Sequence, residues 1–227
     1  MKRTMQDRSS SRSLRVLVAL VTAFLLVAPA SVLAQYTVGD YGTIASGAWN
    51  GTTTWGVWNG ASFAATAATP PLASTAWVRN GHTVTLPSPG PYSITNLTVE
   101  AGGKLWTTNA ATNIYMGIYG TTLKCDGTIG DGSNFDGISF NLEGANILIS
   151  GTGTFDCSRV RKNTVAPNIT TNVTIAINMN IRFQSGSTTQ LYNNAGAASF
   201  FNVTVNAGVT VNLVGTSGTG NLAIDGT

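Results

Sequence analysis

Asn96-Leu97-Thr98-Val99-Glu100-Ala101-Gly102 is a motif to which this chain keeps returning. It recurs as Asn146-Ile147-Leu148-Ile149-Ser150-Gly151, as Asn172-Val173-Thr174-Ile175-Ala176-Ile177 and as Asn202-Val203-Thr204-Val205-Asn206-Ala207-Gly208. The interval between the first two leading asparagines is close to twice each of the later ones. It reads as two turns of equal length, with Thr122-Leu123-Lys124-Cys125-Asp126-Gly127 as a degenerate copy between them. A short strand repeated at this period is the signature of a solenoid, in which each turn buries its apolar face only by stacking on its neighbours. Within the motif Leu97 and Val99 alternate with Thr98 and Glu100, which places the first pair inward and the second outward. Asn96, Asn146, Asn172 and Asn202 are then predicted to stack, hydrogen-bonding along the ladder in a structural role.

Working outward, the remaining composition agrees with an all-β chain. Glycine is abundant at 26 residues and charged residues make up only 9%. No window sustains a helical apolar period, whereas short β-branched runs broken by Gly and Asn are frequent. Asn80-Gly81, between Ala76–Arg79 and Thr83–Leu86, is a tight-turn dipeptide.

The segment 1–34 reads as an address. Lys2, Arg3, Arg8, Arg12 and Arg15 precede the apolar run 16–30, and Val32-Leu33-Ala34 supplies the small residues of a cleavage site. The run is short for a membrane span and Pro29 interrupts its end. Cleavage after Ala34 is therefore expected, with export and no membrane span afterwards. The leader holds these five cations against one acid, Asp7, so the positive formal charge of +3 for the whole chain comes from it. Beyond it stand seven cations (Arg79, Lys104, Lys124, Arg159, Arg161, Lys162, Arg182) and eight acids, a net charge of −1. Nucleic acid is not an expected partner.

The segment 35–75 differs from the rest in being rich in tryptophan. Trp49, Trp55 and Trp58 stand close together, separated mainly by Gly and Thr. They could form an aromatic platform for a carbohydrate ligand, or plug the open end of a solenoid. With Val78-Arg79-Asn80-Gly81-His82-Thr83-Val84-Thr85-Leu86 and Ile94 through Leu105, this opening resembles the start of secreted bacterial β-helix surface proteins. The resemblance implies a Trp-rich cap over 35–75 and a right-handed parallel β-helix of about five turns over 76–227. That family includes adhesins, matrix proteins and some polysaccharide-degrading enzymes.

Most of the charge beyond the leader lies between Asp126 and Asn163. Asp126, Asp131, Asp136, Glu143 and Asp156 are there, with Lys124, Arg159, Arg161 and Lys162 close in sequence. A solvated charged rim, a calcium site and a pair of catalytic carboxylates all remain open for this segment. Asp126, Asp156 and Asp136 are the candidates if the protein is an enzyme. Cys125 and Cys157, separated by close to one repeat, are expected to sit on neighbouring turns and form a disulfide. One histidine, His82, and no Cys-x-x-Cys make a zinc site unexpected. No cofactor is expected beyond the calcium alternative.

The sequence thus predicts an exported or cell-surface β-solenoid with a structural or adhesive role, binding polysaccharide or extracellular matrix without catalysis. Two alternatives stay open: a carbohydrate-active enzyme of lyase or hydrolase type, and a self-assembling filament subunit. The second rests on Asn221-Leu222-Ala223-Ile224, which restarts the motif and suggests a chain truncated at its C-terminus and prone to end-to-end association.

Overall fold

The computed structural model describes residues 35–88, 90–107, 114–130, 137–162, 170–183, 191–193 and 201–215. The leader-like segment 1–34 and the C-terminal motif at 221–224 lie outside them. Gln35–Thr37 belong to a separate first unit, and the body begins at Val38.

The body is a parallel β-solenoid whose turns each give one strand to three sheets. In the nine-stranded sheet Thr75–Val78, Asn96–Val99, Thr122–Cys125, Asn146–Ser150, Thr171–Ile175 and Phe201–Val205 stack in parallel. The seven-stranded sheet runs from Gly47–Ala48 through Lys104–Trp106, Thr128–Ile129 and Thr154–Cys157 to Val211–Gly215. The five-stranded sheet runs from Tyr92–Ile94 to Leu191–Asn193, with Ile138–Leu142 in the middle. Its strands span four turn-to-turn steps.

The core follows from alternation. Ala76, Leu97, Leu123, Ile149 and Ile175 are register partners along the nine-stranded sheet, and all are buried. Val84, Leu105, Ile129, Phe155 and Met179 make the matching inward row of the seven-stranded sheet. Met116, Phe140 and Val160 complete the interior from the five-stranded sheet. Each buried Leu or Ile contributes about 1.5–3 kcal/mol relative to exposure, so interior rows of this length dominate the stability of the fold. Corners close with glycine where the chain must turn hard. Gly102 has φ +79° and its carbonyl accepts from Gly81 N, so one corner is tied to the next. Asn80-Gly81 is likewise a corner between two sheets, and Glu100 Oε2 accepts from Asn80 N at 3.0 Å.

Parallel pairing begins within the tryptophan-rich segment. Tyr41–Thr43 pairs in parallel with Thr75–Val78 on one side and antiparallel with Trp55–Trp58 on the other. Phe63–Ala65 then forms the outer edge as an antiparallel hairpin strand. Trp55 is wholly buried, its Nε1 donates to Trp49 O at 2.7 Å, and the two rings meet edge-on at 4.9 Å.

Three sequence expectations are corrected by the register. Leu97, Leu123 and Ile149 pair in succession, so each turn is slightly longer than half the interval from Asn96 to Asn146. Asn96 therefore aligns with Thr122 and Leu148, not with Asn146, and stands in the neighbouring column. The spacing from Cys125 to Cys157 likewise overshoots one turn. The two cysteines lie in different sheets, paired with Val99 and Ile181. Both thiols are buried, and the expected disulfide is not formed. Arg161 and Lys162, read as members of a solvated rim, are buried at 8% and 1% exposure. Lys162 shares the inward row with Leu142, one position beyond the Asn141–Arg161 pair. Its Nζ donates to the buried Thr171 Oγ1 at 3.0 Å, as a cation withdrawn from water requires a partner.

Candidate binding face

On the outside of the nine-stranded sheet, Asn146, Asn172 and Asn202 are register partners on three successive turns. Asn172 Nδ2 donates to Asn146 Oδ1 and Asn202 Nδ2 to Asn172 Oδ1, both at 2.9 Å. All three side chains are exposed. The predicted ladder thus forms with three of its four members. The fourth, Asn96, caps a corner instead: its Oδ1 accepts from Thr121 N and Thr122 N at 2.9 and 3.0 Å.

Two positions along each strand runs a second column, Thr122, Leu148, Thr174 and Thr204. Leu148 is 43% exposed, an aliphatic side chain on an otherwise polar face. The two columns border an open groove of about 370 Å³ lined by Thr121, Thr122, Asn146, Ile147, Leu148, Asn172 and Thr174. None of the lining residues is charged. The strand fixes this geometry: Ile147 and Ile149 point inward, which forces Asn146 and Leu148 out.

The other candidates are placed differently. Asp126 sits at a corner, where Oδ2 pairs with Lys124 Nζ at 2.7 Å and Oδ1 accepts from Thr152 N at 3.1 Å. The Lys124 ammonium is the main cause that holds its carboxyl below the usual carboxylate range. Asp156 is buried at 1% exposure and accepts from Asn180 Nδ2 at 2.6 Å. Since Thr128 pairs with Thr154, Asp126 lies beside Thr152, with Asp156 further along the chain of that turn. The two carboxylates are bound by different neighbours, Lys124 and Thr152 at Asp126 and Asn180 at Asp156. Asp131 and Asp136 lie outside the described residues.

Trp49 and Trp55, at 2% and 0% exposure, present no ring face to a ligand. Trp58 is half-buried and packs on Phe63 at 5.1 Å. His82 Nδ1 meets the buried Thr43 Oγ1 at 2.8 Å, a contact that ties two turns together. The pKa of the Cys125 thiol is pushed up to about 12 by burial, which keeps it protonated. Among the described residues no group of three or more His, Cys, Asp or Glu could hold a metal ion. Nor is any described helix long and apolar enough to cross a membrane.

Comparison with protein-family models, curated proteins and solved structures finds no match.

A second ladder escaped the sequence reading. Asp156, Asn180 and Asn212 pair in register on the seven-stranded sheet, with Asn212 Nδ2 donating to Asn180 Oδ1 at 3.0 Å. The signal was present in Met179-Asn180-Ile181 and Val211-Asn212-Leu213, two apolar-Asn-apolar triplets one turn apart. Leu148 was also missed, because a run of three apolar residues hides which one faces out.

Proposed function

We propose that this protein is an exported adhesive β-solenoid that binds polysaccharide on the outer face of its nine-stranded sheet, without transforming it. The observation that carries the reading is the open, uncharged groove between the asparagine and threonine columns, with Leu148 exposed at its centre. Sugars present hydroxyls that both donate and accept, together with C–H faces that lie on aliphatic or aromatic side chains. Amides, hydroxyls and one leucine match that chemistry in kind. A parallel solenoid holds them on rigid strands, so little order is lost on binding.

The leader-like 1–34 segment supports export. Asp126 and Asp156 are engaged in structural contacts, which weighs against the carboxylate-pair chemistry of a glycosidase. Glycan-array binding of the full chain, with mass-spectrometric analysis of each ligand afterwards, tests the proposal. Binding with intact ligand is the expected result. Cleaved products, or no binding to any glycan, overturn it.

A further inference from the structure

We infer that the ligand is a neutral, extended, β-linked glycan that lies along the solenoid axis, crossing the strands, with one sugar per turn. This rests on the polysaccharide reading above and narrows it. Each asparagine amide has two N–H donors and a carbonyl oxygen with two lone pairs. At Asn172 the ladder consumes one N–H and one lone pair, through Asn146 and Asn202. A second donor and a second acceptor remain on an exposed side chain, and the same capacity is offered at each rung of the column. Parallel strands repeat at about 4.8 Å, close to the length of one pyranose in an extended chain.

The threonine column runs beside this one, about 7 Å away along the strand. Thr122, Thr174 and Thr204 repeat a hydroxyl at the same rung spacing. A glycan lying between the columns therefore meets an amide and a hydroxyl at the turns of Asn172/Thr174 and Asn202/Thr204, an amide and Leu148 at the turn of Asn146, and a hydroxyl alone at Thr122. Leu148 replaces one hydroxyl with an apolar surface, a place for the C–H face of a single ring. A chain lying along a strand would instead meet one asparagine and one threonine only, and then leave the sheet at a corner. The groove lining carries no charge, so nothing in it favours a uronate or a sulfated sugar. An α-1,4-linked glucose chain, by contrast, curves away from a straight column.

The test is calorimetric titration of the full chain with cello- and chito-oligosaccharides of increasing length, against malto-oligosaccharides and polygalacturonate. Affinity for one of the β-linked series is expected to rise with each added sugar up to about four, matching the column Thr122–Leu148–Thr174–Thr204. It should then level, and change little between low and high salt, since no charge is screened. Leu148→Ala and Thr174→Val are expected to weaken binding by about fivefold to tenfold each, the scale of one apolar contact or one hydrogen bond. Asn212→Ala, on the other ladder, should leave affinity unchanged, and a thermal melt of every variant separates lost binding from lost folding. Binding that ignores length, prefers malto-oligosaccharides, or favours polygalacturonate with steep salt dependence overturns the axial neutral-chain inference while leaving the broader polysaccharide reading standing. Silence toward every glycan removes both.

Discussion

Asn172 stands directly between Asn146 and Asn202, donating to the first and accepting from the second at 2.9 Å on each side. It bridges both neighbours of its column, and so is the place where the ladder is most open to test. Each exposed hydrogen bond of this kind contributes a net ~0.5–1.5 kcal/mol. Asn172→Ala is therefore expected to lower stability by about 1–2 kcal/mol, read from the midpoint of a urea melt. A midpoint equal to wild type would mean that the ladder is geometrically present but energetically idle.

Gly151 adopts φ +132°, and a methyl group there would collide with the backbone carbonyl of Cys125 on the preceding turn. Neither the backbone nor a neighbouring strand can give way without opening the sheet. Gly151→Ala should cost roughly 3 kcal/mol or more, through strain and lost pairing together. Thermal unfolding monitored by circular dichroism would register this as a large drop in Tm.

The buried Cys125 thiol makes a prediction in the alkaline direction. Its folded pKa is raised to about 12 by burial, while an unfolded thiol ionises near its ordinary value of 9.0. Above the unfolded value the unfolded state has already released its proton and the folded state has not. Stability is thus fully present below about pH 9 and declines as pH rises toward the folded value. Tyr92, also raised by burial, acts in the same sense. In the native protein at neutral pH, a thiol reagent such as iodoacetamide should label neither cysteine until denaturant is added. Fast native labelling of Cys125 would contradict its placement.

Asp126 works in the opposite direction. Its carboxyl is held low mainly by Lys124, so the pair's contribution exists above the ordinary carboxylate range and is lost as pH falls through the lowered value. Because Lys124 is 44% exposed at its side chain, screening limits the effect. Asp126→Asn should shift stability by less than about 1 kcal/mol at neutral pH, with the difference from wild type vanishing in acid. A larger loss at pH 7 would show that the ion pair with Lys124 outweighs this screening, since asparagine keeps an Oδ1 to accept from Thr152 N.

Tryptophan substitutions separate core from surface at the N-terminal end. Trp55→Ala removes a wholly buried ring and its bond to Trp49, an expected loss of about 3–5 kcal/mol. Trp58→Ala, at a half-buried site beside Phe63, should cost far less. Glycan affinity is expected to persist in Trp58→Ala. Its abolition would return the aromatic platform to consideration.

Much of this arrangement was legible in the sequence because alternation and repetition are local properties. Leu97 and Val99 announce their inward direction through period two, and the recurring Asn-apolar-Thr pattern announces the turns. What the residues could not state was the length of a turn. A difference of one position per turn leaves the pattern looking the same, yet over two turns it moves Asn96 into another column. The cysteines are separated by a larger mismatch, since Cys157 lies several positions past the residue opposite Cys125 and so falls in another sheet.

By itself, then, the sequence determined the class of fold, the inward rows and the asparagine ladder of Asn146, Asn172 and Asn202. Apolar periodicity and β-branched composition act strand by strand, and need no knowledge of distant partners. Only the tertiary structure decided the register, the separation of the two cysteines, the burial of Lys162 beside Thr171, and the exposure of Leu148 in a threonine column. Those depend on which residue of one turn faces which residue of the next. That choice is made by the combined packing of three sheets around one core, where a shift of one position would turn every buried side chain outward.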